Sequence, residues 1–198
     1  MVHLGIEESL TGPSPFPSQR PTALMLSRLA HGEDYKGHRE MIAAWPLVRE
    51  RLPEAELWIA GDGELRPELE ALTWMRSLTQ GVRFTGYISE EEKQQVLARC
   101  SWLALPSRGE GFGLVYLEAM RLGRPCLVST LDAGREVVNP PEAGLSADPR
   151  DPRALADAVC RLLTPGHEWE AWSLRARQRY EQHFTAAHFQ RRLIEALA

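Results

Sequence analysis

The sequence predicts an α/β domain built on a doubly wound, Rossmann-like parallel sheet of about six strands, with helices on both faces. Short, two-sided apolar runs recur along the chain, as strands buried on both faces require. Between them lie segments with apolar residues at helical spacing, roughly 10 to 15 residues long, and this alternation reads as successive βαβ units with right-handed crossovers. The length of 198 residues, with 43% apolar and 25% charged side chains, suits a single domain with a substantial core.

Residues 1–20 differ from the rest. Gly12-Pro13-Ser14-Pro15-Phe16-Pro17-Ser18 has linker composition, and the apolar stub Val2-His3-Leu4-Gly5-Ile6 precedes it. The domain proper is expected over 21–198. Ala23-Leu24-Met25-Leu26-Ser27 is the first strand. Met41, Ile42, Trp45, Val48 and Leu52 then fall at helical spacing, with Pro46 expected to kink that helix or force a restart. Leu57-Trp58-Ile59-Ala60 is the second strand, closed by Gly61-Asp62-Gly63. A polar helix over about Pro67–Leu78 leads to the short strand Val82-Arg83-Phe84.

Ser89 and Glu92 have the spacing of a capping box, opening a helix that runs to about Arg99. Trp102–Leu105 is strand four, Leu114–Leu122 a helix, Pro125–Val128 strand five and Gly144–Ala147 strand six. Asp151-Pro152 pairs an N-cap with proline at the first helical position, starting a helix to Leu163 with Leu155, Val159 and Leu162 on one face. Two further helices, about 168–183 and 186–197, complete the chain.

Several function classes are excluded or disfavoured. A net charge of −4 argues against nucleic acid as a partner. No apolar run is long enough to span a membrane, and the first 20 residues lack a signal-peptide pattern. Cys100, Cys126 and Cys160 are widely spaced and read as reduced, buried, cytosolic thiols. The six histidines lack metal-ligand spacing, and there is no GxSxG or P-loop motif.

Ligands of open α/β sheets bind beyond the carboxyl ends of the strands. After strand one come Arg28 and Lys36, two cations suited to a diphosphate if they converge, or otherwise a solvated pair. After strand four, Gly109, Gly111 and Gly113 leave backbone N–H groups uncovered ahead of a helix, a ready anion site. Glu110 inside that loop would repel a bare phosphate and suits a sugar better, or is simply solvated. Glu118 interrupts Leu114-Val115-Tyr116-Leu117-Glu118-Ala119-Met120, which otherwise reads as a helix apolar on every side. A carboxylate buried there needs donors: Arg121, a neighbouring helix cap, or the paired hydroxyls of a ribose. Gly61-Asp62-Gly63-Glu64 lacks the third glycine of a dinucleotide fingerprint and reads as a tight βα turn.

The ordered set Ser27-Arg28-Leu29, Lys36-Gly37-His38, Gly61-Asp62-Gly63, Phe84-Thr85-Gly86, Pro106-Ser107, Glu110-Gly111-Phe112-Gly113 through Glu118-Ala119-Met120, and Gly123-Arg124-Pro125 resembles the C-terminal, donor-binding domain of family-four, retaining GT-B glycosyltransferases. The resemblance covers roughly residues 22–198 and is most specific at the Glu-x7-Glu pair, Glu110 and Glu118. It implies one half of a GT-B fold that binds a nucleotide-sugar donor and requires no metal or other cofactor. It further implies that Arg28 and Lys36 stabilise the leaving diphosphate, the usual place for catalytic electrostatics. The N–H groups of Phe112, Gly113 and Leu114 would hold sugar hydroxyls and a phosphate oxygen, Glu118 the ribose, and Glu110 would lie by the sugar's anomeric centre. The family's mechanism is commonly drawn as a same-face transfer in which the leaving phosphate helps deprotonate the acceptor. The base would pack near Gly61 and the loop at Gly86-Tyr87.

The resemblance also implies an N-terminal acceptor-binding domain, absent from this sequence, with residues 1–20 as a hinge remnant and 180–198 as a crossover helix that exposes apolar surface. Transfer by the chain alone is then not expected, because domain closure excludes water and aligns the acceptor. Ser27 stands where the family usually has glycine. The expected location is cytoplasmic, with peripheral membrane association of the full enzyme allowed for; the five arginines and two glutamates of 171–198 read better as a solvated or interdomain face. The competing reading is a nucleotide-binding module without chemistry. Degeneration would normally damage Arg28, Lys36, Glu110 or Glu118, and all four are present. A Rossmann oxidoreductase fails on the missing glycine loop after strand one.

Overall fold

A computed structural model of the chain describes residues 3–6, 16 and 20–197. Most of the expected linker, including residues 12–15 and 17–18, lies outside the described residues. Among the described residues, six strands form one sheet: β1 (Thr22–Leu26), β2 (Glu56–Ala60), β3 (Val82–Gly86), β4 (Trp102–Leu105), β5 (Cys126–Ser129) and β6 (Gly144–Ala147). All pairings are parallel, in the order β3-β2-β1-β4-β5-β6. The order reverses between β1 and β4, which opens a crevice at their carboxyl ends.

Among the described residues, eight α-helices connect or follow the strands: α1 (His38–Arg51), α2 (Arg66–Met75), α3 (Glu90–Arg99), α4 (Leu114–Arg121), α5 (Gly134–Val138), α6 (Pro152–Leu163), α7 (His167–His183) and α8 (Ala186–Leu197). A short 3-10 segment, His31–Lys36, precedes α1. The sequence reading missed this segment and α5; both are too short to show a hydrophobic period.

Strand residues alternate between two cores, the period of two that pleating imposes. Ala23, Met25, Leu57, Ile59, Trp102 and Ala104 pack with Met41, Trp45 and Val48 of α1 and Leu155 and Val159 of α6. Leu24, Trp58, Leu103, Leu105 and Val128 pack with Leu97 of α3, Leu117 of α4 and Tyr180 of α7. The capping box of α3 is formed as expected, with the Glu92 N–H donating to Ser89 Oγ and the Ser89 N–H to Glu92 Oε2. Asp151 caps α6 by accepting from the N–H groups of Arg153 and Ala154.

Two expectations need correction. Pro46 does not restart the helix: α1 is one element through it. The backbone bond lost at proline is outweighed by burying Met41, Ile42, Trp45 and Val48 on the sheet. Nor is α4 buried on every side, because Leu114 is 46% exposed and only Tyr116, Leu117, Ala119 and Met120 are buried.

Arg124, from the Gly123-Arg124-Pro125 motif, is 1% exposed. Its guanidinium donates to the carbonyls of Leu97 and Ala98, the unpaired end of α3, and stacks over Trp169. The stub residue Ile6 bonds to the α7–α8 junction, its N–H donating to Phe184 O at 3.0 Å and its carbonyl accepting from the Ala186 N–H at 2.9 Å. Phe16 packs edge-on against Trp169. α8 buries none of its residues and exposes Leu193, Ile194 and Leu197.

Because Arg124 satisfies buried carbonyls, Arg124→Ala is expected to destabilise the domain by about 2–4 kcal/mol, read as a lowered urea midpoint with an unchanged slope. A variant within experimental error of wild type would show that the helix end finds other donors.

Candidate functional site

The crevice edge is knitted from the loops that leave β1, β2, β3 and β4. Ser27 N–H donates to Ala60 O at 3.1 Å, Leu29 N–H to Asp62 O at 2.9 Å, and Gly61 N–H to Gly86 O at 2.9 Å. Gly61 allows this approach: at φ +134° a Cβ there would stand 1.9 Å from the Ser27 carbonyl oxygen. On the other side, Arg108 N–H donates to Tyr35 O at 2.8 Å, tying the loop after β4 to the 3-10 segment. Gly37, at φ +86°, closes the same seam, where a Cβ would lie 2.4 Å from Pro106 O.

Arg28 and Lys36 do converge. Both pair with Glu33, Lys36 Nζ at 2.7 Å from Oε2 and Arg28 on Oε1. Arg28 is 80% exposed, while Lys36 and Glu33 are 12% and 14% exposed. Burial works against the Glu33 charge, but the Lys36 and Arg28 cations outweigh it and lower the group's pKa. The sequence reading missed Glu33, although its place three residues before Lys36 was a signal.

His38 is fully buried beside this pair, its Nε2 3.1 Å from Ser27 Oγ and its Nδ1 without a partner among the described residues. Burial, aided by Lys36, lowers its pKa to about 4, so it is neutral. Ser27 thus bonds both His38 and the Arg28 carbonyl.

In the loop after β4, Glu110 is half-buried, Phe112 packs near His3 and Phe184, and Gly113 is the N-cap residue ahead of Leu114. The Phe112 ring therefore faces the α7 end. Glu118 is partly buried and its partner is Lys93 of α3 at 2.7 Å, not Arg121, which bonds Gln94. Lys93 also pairs with Glu90 at 2.8 Å. Burial disfavours the Lys93 charge, yet the two carboxylates raise its pKa overall. Lys93 lies 25 residues from Glu118 in sequence, a separation that no local pattern reveals. Tyr87, beside the Gly61–Gly86 bridge, is 82% exposed.

A second carboxyl group missed by the sequence reading is Asp132, in the loop after β5 and 7% exposed. Its Oδ1 accepts the Gly134 N–H at 3.1 Å. Among the described residues no three His, Cys, Asp or Glu side chains are grouped to hold a metal ion, and no helix is long and apolar enough to cross a membrane.

The fold is a doubly wound, Rossmann-like α/β domain with its loops gathered at one edge of the sheet. The chain belongs to the family of glycosyl transferases group 1, whose family model matches residues 20–165. It is 34% identical over 175 residues to a glycogen synthase of Mycobacterium tuberculosis, covering 86% of this chain and 42% of that protein. It is 33% identical over 152 residues to that organism's GDP-mannose-dependent alpha-(1-6)-phosphatidylinositol monomannoside mannosyltransferase, covering 73% and 39%. Its fold is similar to that of Anabaena Alr3699/HepE, solved with UDP and glucose, with a TM-score of 0.79, 22% identity and coverage of 91% of this chain and 48% of that one. The chain thus spans about two fifths of the length of these curated relatives.

His38 makes the domain acid-sensitive. The unfolded chain protonates it near 6.5 and the folded chain only near 4, so its contribution is intact above about pH 6.5 and lost as pH falls toward 4. His38→Gln is therefore expected to lose roughly 2 kcal/mol less than wild type between pH 7 and pH 5, measured by urea denaturation at both values. Parallel losses in the two proteins would remove His38 as the cause.

Proposed function

We propose that this chain is the donor-binding half of a retaining hexosyltransferase and that it takes a nucleoside-diphosphate sugar in the crevice between β1 and β4. The observation that carries the reading is the convergence of Arg28 and Lys36 on one carboxylate at the end of β1. A pair of cations that already holds Glu33 is placed to take a diphosphate instead, by sharing or displacing that carboxylate. In the reaction the two cations stabilise charge as the sugar–oxygen bond breaks, a role that needs them fixed before chemistry begins. The proposed electrostatics rest on these side chains and assign no part to a bound metal.

The remaining roles follow the loops. The N–H groups of Phe112, Gly113 and Leu114 hold the donor at the start of α4, and Glu110 faces the sugar near its anomeric centre. Glu118, kept in place by Lys93, accepts from the ribose hydroxyls. The base stacks near Gly61 and Tyr87. The family resemblance supports a same-face displacement, in which the leaving phosphate takes the acceptor's proton and configuration is retained.

The acceptor, a glycan, a lipid or another hydroxyl compound, is bound by an N-terminal domain of the same enzyme. The chain alone is then inactive or nearly so, since nothing excludes water from the donor sugar. A cytoplasmic enzyme, peripheral at the membrane when its acceptor is a lipid, fits the composition.

Calorimetric titration with UDP, GDP and ADP and their sugar conjugates tests the reading. Arg28→Ala and Lys36→Ala are each expected to weaken binding by roughly 1.5–3 kcal/mol, the scale of a charged hydrogen bond. Glu118→Gln should weaken the nucleotides but leave inorganic pyrophosphate unaffected. Equal losses for both ligands would refute the ribose assignment, and no binding by any nucleotide up to about 1 mM would refute the donor site in this chain.

A further inference from the structure

In Gly109-Glu110-Gly111-Phe112-Gly113 a single apolar side chain stands among three glycines. Glycine backbone is the costliest to order, so such a stretch needs an anchor if its N–H groups are to hold one place. Gly111 supplies none, since a Cβ there would meet nothing within 4 Å. Phe112 does. Its ring lies 5.8 Å from the His3 ring and 6.1 Å, edge-on, from the Phe184 ring, and His3 and Phe184 are themselves 6.0 Å apart. The three rings form a closed cluster at spacings where aromatic pairs attract. Phe184, 1% exposed, roots it in the core beside α7.

His3 is in turn held by its backbone. Besides its two bonds to the α7–α8 junction, the Ile6 carbonyl accepts from the Tyr180 hydroxyl at 3.0 Å, and the His3 carbonyl accepts from Arg192 at 3.3 Å. Gly5 lies so close to the junction that a Cβ there would stand 2.3 Å from Thr185 O. We propose that Phe112 is a positioning residue whose ring, clamped by His3 and Phe184, fixes the glycine-rich loop from the α7–α8 junction. Through it the segment 3–6, to which no contact with the donor is assigned, sets where the N–H groups of Gly113 and Leu114 stand. The consequence for binding rests on the donor-site reading above; the clamp itself does not.

Two measurements test this. The first needs no ligand: amide hydrogen exchange at residues 111–114, read by NMR against the Gly61 amide, which bonds Gly86 O at another part of the crevice edge. His3→Ala removes one ring of the clamp, and Gly5→Ala pushes the segment off Thr185 without touching any ring. Each is expected to speed exchange at 111–114 by about two- to tenfold, the equivalent of one aromatic contact, and to leave Gly61 unchanged. Phe112→Ala should speed it further. If the rings only close the core, His3→Ala lowers the urea midpoint and leaves 111–114 no faster relative to Gly61. That result would overturn the proposal whether or not any nucleotide binds, and it needs only the His3 variant to fold.

The second compares Kd values for UDP-glucose, GDP-mannose and ADP-glucose in wild type and in His3→Ala. For whichever binds, the variant should bind about two- to tenfold more weakly. Faster exchange at 111–114 with an unchanged Kd would overturn the control of binding by segment 3–6. If exchange responds as expected while no nucleotide sugar binds either protein, the clamp stands and the donor-site reading fails.

Discussion

Because all six strands run the same way, every strand delivers its following loop to one edge of the sheet, and the rest of this protein depends on that constraint. Parallel strands are buried on both faces, so the two cores on either side hold the strand ends in register. The loops that follow are then close enough to bond to one another. Ser27, Leu29, Gly61 and Arg108 each lend a backbone N–H to a carbonyl at a neighbouring strand end or loop. Residues more than a hundred positions apart, such as Arg28 and Asp132, reach the same edge without any need to be near in sequence.

Charge is managed at that edge by giving each group a partner of its own. Glu33 holds Arg28 and Lys36, and Lys93 holds Glu118. Such pairing holds the side chains in place without a ligand, which on the proposed reading lowers the reorganisation needed when a diphosphate or a ribose arrives. Asp132 breaks the pattern. It is buried and its Oδ1 accepts the Gly134 N–H, with no ion pair to a cation among the described residues. His38 is the neutral counterpart on the other side of the crevice, fully buried and tied to Ser27.

Away from the site, polar groups mend the ends of elements. Arg124 closes α3, and Arg179 donates to the Val137 and Glu136 carbonyls at the end of α5. These arginines carry charge into half-buried or buried places because helix carbonyls there have no other partner. The apolar stripe of α8, by contrast, is left uncovered by the described residues of this chain.

The amino-acid sequence by itself determined the fold class, all six strands, the capping box at Ser89 and the loops that carry Arg28, Lys36, Glu110 and Glu118. Apolar period, caps and glycine placement act over a few residues, so they are legible without coordinates. Pro46 shows the limit of such local rules, since burial of Trp45 and Val48 overrides the break that proline invites. Only the tertiary structure decided the partners. Lys93 meets Glu118 because α3 and α4 lie over the same face of the sheet. Contacts of that kind depend on the summed burial of the whole core and leave no trace in any short window of sequence.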